Sequence, residues 1–135
     1  MPSIANITVK KNDGTTDIVY TAVSPSSGDK TAAVWKSQSV GASLAFQPEL
    51  RLTSRETTLD GKAARSLRAT YSYPQVANNT LDGFHYVFRK ATFSQEVVFP
   101  KDMTQGDVDE AITQFTNLMV STVIRACLKS GYSAT

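Results

Sequence analysis

Hydrophobic and polar residues alternate along this chain as far as residue 99, and then the period lengthens. In RSLRATYSYP, residues 65–74, Leu67, Ala69, Tyr71 and Tyr73 fall on one parity and Ser66, Arg68, Thr70 and Ser72 on the other. Such alternation predicts a strand with one apolar and one polar face. Six β segments follow from the same reading. ITVKK and TDIVY flank Asn12-Asp13-Gly14, a tight-turn sequence, which predicts a hairpin over residues 4–11 and 16–22. SPSSGDK, 24–30, reads as a loop, and TAAVWKSQS, 31–39, as a strand carrying Val34 and Trp35. A long strand is expected over 43–55, with Leu44, Phe46, Leu50 and Leu52 on one parity and Gln47, Glu49, Arg51, Thr53 and Arg55 on the other. Pro48 cannot donate to a ladder, so a bend, bulge or sheet edge is expected there. Asp60-Gly61 in the connection 56–63 predicts a turn into a strand over 64–74, and a polar loop is expected over 75–83. The last strand, 84–99, would place Tyr86, Phe88, Lys90, Thr92, Ser94 and Glu96 on one face.

After Pro100, Val108, Ile112, Phe115, Met119, Val123 and Leu128 recur at steps of three to five residues, the period of an amphipathic helix. Thr104 is placed to cap it, acidic residues occupy its early turns, Ser121-Thr122 predicts a break, and Gly131 a stop. The fold class expected is α+β: an antiparallel sheet followed by two C-terminal helices, in one domain spanning 1–135 (hairpin 4–22, sheet 31–99, helices 104–130). The helical section is too apolar on one side to stand alone. It must cover the sheet or cross to a partner.

Composition narrows the chemistry. Lys and Arg total 14 against 12 Asp and Glu, a net charge of +2, so any basic signal has to come from arrangement. Cys127 is the only cysteine, which excludes an intrachain disulfide, and its helical apolar setting predicts a buried small hydrophobe. No signal peptide or membrane-length apolar run is legible, so a cytosolic place of action and no membrane partner are expected. His85 is the only histidine, and no phosphate-binding glycine loop, HExxH or CxxC occurs. Asp107, Asp109 and Glu110 suit a helix dipole better than a metal. No catalytic constellation, metal site or cofactor is expected.

What remains is the polar face. Arg51, Thr53 and Arg55 lie on one strand, Ser66, Arg68 and Thr70 on its hairpin neighbour, and Tyr86, Lys90, Thr92 and Ser94 on the last strand. Cationic groups contact phosphates, hydroxyls donate to phosphates or base edges, and an aromatic ring can stack on an unpaired base. The set suits RNA. A solvated outer face accounts for the same residues, and composition alone favours that simpler reading.

The order of parts resembles the coat proteins of single-stranded RNA bacteriophages, the levivirus type. The likeness is carried by ITVKKNDGTTDIVY, TAAVWKSQS, the RLTSRETTLDGKAARSLRATYSYP hairpin, the polar 75–83 loop, and FRKATFSQEVVF followed by the helical tail. It implies an interlocked homodimer with a continuous sheet, each chain's helices reaching over its partner. It also implies an icosahedral shell around a single-stranded RNA genome, assembled in the bacterial host cytoplasm. In such a shell the inner sheet face binds an RNA hairpin, for packaging and for repression of replicase translation. The RNA-facing positions then fall on Arg51, Thr53, Arg55, Ser66, Arg68, Thr70, Tyr86, Lys90 and Thr92. The chain departs from the pattern at Pro48, at the acidic Glu49 and at Ser121-Thr122, where the family carries a proline. A small cellular dimer that binds RNA or protein and forms no shell is the alternative.

Overall fold

The computed structural model describes residues 2–134; the first and last positions of the expected domain lie outside the described residues. Six strands form one antiparallel sheet in chain order: β1 (Ile7–Lys10), β2 (Asp17–Ser24), β3 (Ala32–Lys36), β4 (Glu49–Leu59), β5 (Lys62–Asn78) and β6 (His85–Pro100). Two helices follow, α1 (Gln105–Met119) and α2 (Thr122–Ser130).

The turns are fixed by short polar side chains. Between β1 and β2, the Asp13 carboxylate accepts the backbone N–H groups of Thr15 and Thr16, both at 2.9 Å, and the Thr16 hydroxyl at 2.6 Å. These bonds, the Thr16 hydroxyl first, hold Asp13 far below its usual carboxylate range. Between β4 and β5 only Asp60 and Gly61 are unpaired, and both have positive φ, 50° and 76°. That is the two-residue turn whose twist matches the flanking strands.

Three expected boundaries move. Residues 43–55 are not one strand: Leu44–Phe46 is a 3₁₀ turn, Leu44 is 74% exposed, and β4 starts after the buried Pro48. Proline supplies no N–H, so the ladder can begin only beyond it, although the Pro48 carbonyl still accepts from Ser37 N at 3.0 Å. The segment 56–63 is mostly strand, because β4 runs to Leu59. The 75–83 loop shrinks likewise, since β5 pairs with β6 as far as Asn78 opposite His85. Pro74 is tolerated because β4 ends opposite Ser72, leaving β5 a neighbour on one side only at that point.

One face of the sheet is apolar. The Tyr20 and Tyr71 hydroxyls share a 2.8 Å hydrogen bond, Tyr71 lies against Phe93, and Trp35 Nε1 donates to the Ala5 carbonyl at 2.8 Å. Burial and the Tyr20 bond push the Tyr71 hydroxyl well above its usual range. The buried apolar core is nonetheless small: Tyr20, Trp35, Ala64 and Val108.

The helices begin as expected. Thr104 caps α1, accepting Asp107 N at 3.3 Å, and Gly131 at φ 77° ends α2. The break falls at Val120 and Ser121. Yet only Val108 of α1 is buried, and no residue of α2 is. Cys127, expected to be buried, is half-exposed on α2.

Candidate nucleic-acid interface

Strand register builds the polar face row by row, since residues directly opposite each other share a face. Lys36, Glu49, Ser72 and Thr92 form one row across β3 to β6. Arg51, Thr70 and Ser94 form the next, then Thr53, Arg68 and Glu96, then Arg55 and Ser66. Lys90 stands beyond the first row, opposite Pro74. Of the residues expected to face RNA, Arg51, Thr53, Arg55, Ser66, Arg68, Thr70, Lys90 and Thr92 are therefore brought onto one surface. Hydroxyls of Thr53, Thr70, Ser72, Thr92 and Ser94 occupy its middle and cations ring them.

Tyr86 is not brought to this surface. Gln75 lies opposite Arg89 and Val76 opposite Val87, so β6 carries one extra residue, Phe88. This bulge turns Tyr86 opposite Ala77, on the β5 parity of Tyr71 and Tyr73. Its ring then meets Phe88 edge-on at 6.5 Å, with the Arg89 guanidinium over Phe88 at 4.8 Å. The expected common face for Tyr86 and Lys90 fails because one inserted residue reverses the alternation.

The charged groups are organised in pairs. Glu49 lies between Lys36, at 3.3 Å, and Arg51, and the Arg51 hydrogen bond holds its carboxyl below the ordinary range. Glu96 accepts from the Ser66 hydroxyl, which is 1% exposed, and from Arg55 Nη2 at 3.0 Å. Those two bonds, Ser66 first, lower its carboxyl as well. Arg68 stands opposite Glu96 but donates from Nε to the Ser94 hydroxyl at 3.3 Å. Lys36 was not expected as part of this surface. Its signal was its place beside Trp35, the strand's one large inward residue, which puts Lys36 on the outward parity.

The reverse face carries an ion-pair cluster near the β4–β5 turn, where Asp29, Arg65, Glu56 and Lys101 are linked, with Arg65 to Asp29 at 2.7 Å, and Arg89 opposite Gln75 at its other end. Elsewhere that face exposes Leu67, Tyr73 and Phe93, each more than 40%. His85 is exposed at the start of β6. Asp107 bonds Thr104 and Asp109 bonds Gln105, so the acidic residues of α1 serve its first turns.

The profile of the levivirus coat proteins matches residues 2–132. The chain belongs to that family. Solved structures share its fold at low identity. The virus-like particle of Beihai levi-like virus 21 is 20% identical with a TM-score of 0.81, covering 99% of both chains. That of bacteriophage NT-214 is 14% identical at 0.80, covering 99% of this chain and 100% of the other. The capsid protein of bacteriophage GA is 19% identical at 0.74, covering 95% of each. No curated protein matches by sequence. The six-stranded sheet with two C-terminal helices is thus the levivirus coat fold.

Proposed function

We propose that this chain is the structural, non-enzymatic capsid protein of a single-stranded RNA phage. Homodimers close into an icosahedral shell, with the polar sheet face lining the interior against the genome. The same face takes an RNA hairpin, which marks the genome for packaging and represses replicase translation. Assembly occurs in the bacterial host cytoplasm and the protein resides in the virion.

The observation that carries this reading is the surplus of apolar surface. The chain exposes 9939 Å², whereas a compact monomer of 14.7 kDa exposes about 6,900 Å². The excess of about 3,000 Å² per chain, about 6,000 Å² for two, lies at the upper end of what obligate interfaces bury. It is apolar where an interlocked dimer needs it. Ile112, Phe115, Leu118, Val123 and Leu128 are exposed on the helices, and Leu67, Tyr73 and Phe93 on the sheet's greasy side. β6 is a 16-residue edge strand, the kind of edge that pairs with another chain. With the apolar side taken by a partner's helices, only the hydroxyl-and-cation face is left for the genome.

Electron microscopy of the purified protein, read with its nucleic-acid absorbance, is the test. Uniform RNA-filled particles are expected. A soluble dimer that never forms particles, with or without RNA, would support a small binding module instead.

A further inference from the structure

Two carboxylates sit on a surface otherwise suited to a polyanion, and both are held in place. Glu49 bridges Lys36 and Arg51, which come from adjacent strands. Glu96 is fixed by the nearly inaccessible Ser66 hydroxyl and grips Arg55. An arginine fork accepts a carboxylate or a phosphate in the same manner. Arg51, through Nε, and Arg55, through Nη2, are therefore each already engaged by an internal anion. Arg68 and Lys90 have no carboxylate within ion-pair distance among the described residues.

We infer that Glu49 and Glu96 are specificity-determining residues of the RNA face. They act as built-in competitors that withhold Arg51 and Arg55 from any ligand offering phosphate charge alone. This rests on the RNA-facing reading above and deepens it. An unstructured strand meets Arg68 and Lys90 as free cations. To gain Arg51 or Arg55 it must break an ion pair and leave a carboxylate facing its own backbone. A ligand that also engages the central hydroxyls through its bases can offset that cost, so discrimination rises as backbone-only affinity falls.

Glu49→Gln keeps an oxygen that accepts from Arg51, and Glu96→Gln one that accepts from Ser66 and Arg55, while each removes the charge. The probe is a labelled 20-nucleotide oligouridine, titrated onto the full-length dimer across a salt series. Each variant is expected to bind it about 3- to 10-fold more tightly at ~0.1 M salt. Each should also steepen the slope of log affinity against log salt by about 0.7, the increment for one further phosphate contact on a single strand. Glu110→Gln on α1 makes the same change in net charge away from the sheet and is expected to leave both quantities unchanged. Arg68→Ala is the control for the underlying reading and is expected to weaken binding. Unchanged or weaker binding by both glutamine variants, with Arg68→Ala weakening as expected, overturns the inference alone. Equal tightening by Glu110→Gln overturns it too, as a general charge effect. No effect of Arg68→Ala overturns the RNA-facing reading itself and the inference with it. The two carboxylates belong to separate clusters, so a folding defect in one variant, seen by thermal melting, leaves the other decisive.

Discussion

Arg68 is the side chain on which the RNA-facing reading leans most, because it is exposed, central and without an ion-pair partner among the described residues. Arg68→Ala should weaken single-stranded RNA binding about 3- to 30-fold at ~0.1 M salt and lower the salt slope by about 0.7, measured by fluorescence anisotropy. Stability should change by less than about 0.5 kcal/mol, as for exposed sites generally. A collapse of folding would make Arg68 structural. Acid reports on a different set of residues. Asp13 is lowered chiefly by Thr16, Asp29 by Arg65, Glu49 by Arg51, Glu96 by Ser66 and Asp102 by Lys62. A carboxyl depressed by folding stabilises the fold above its unfolded pKa and loses that contribution as pH falls through its folded one. The melting temperature should hold down to about pH 5 and decline steadily toward pH 2. High salt should shrink the effect, since these pairs are largely exposed. At this scale the sequence was informative wherever alternation was clean: Arg51, Thr53, Arg55, Ser66, Arg68 and Thr70 share a face because β4 and β5 pair without interruption. Tyr86 escaped because a single-residue bulge has no signature in composition. Lys36 escaped because Ala32, Ala33 and Val34 do not alternate in polarity.

Among the elements, the β4–β5 hairpin is the most tightly specified, and its turn demands left-handed backbone at both residues. Gly61→Ala should cost about 1–2 kcal/mol in denaturant unfolding, because a Cβ at φ 76° crowds the backbone. Beyond its chain neighbours no atom lies within 4 Å of the added methyl, so the cost is local backbone strain and not a tertiary clash. The helices behave differently. Leu118 is 58% exposed, so Leu118→Asp removes little of what the isolated chain buries. It should abolish dimers in analytical ultracentrifugation and, because the fold depends on the partner, lower the melting temperature. Element boundaries were legible where a chemical signal marks them: Thr104 and Gly131 frame the helical section by their capping chemistry, and the poor helix formers Ser121-Thr122 mark the break between α1 and α2. They were not legible at 43–48, where LAF reads apolar in either a strand or a 3₁₀ turn, nor at 75–78, where QVAN follows a proline and does not alternate, yet continues the pairing with β6.

In the whole molecule, one sheet presents two surfaces of opposite character. A small core of Tyr20, Trp35, Ala64 and Val108 cannot by itself hold 135 residues, so stability should depend on association. The melting temperature should accordingly rise with protein concentration, which a self-sufficient monomer would not show. The α+β architecture was legible because periods of two and of 3.6 residues separate cleanly at Pro100. Which side of the sheet a second chain covers was not, because the sequence reports polarity and not partners. Electron cryomicroscopy of purified particles tests that point most directly. The account predicts Arg51 and Arg68 pointing into the interior against nucleic-acid density, with α1 and α2 on the opposite side of the sheet. Arg51 and Arg68 on the outer surface, or beneath the helices, would contradict it.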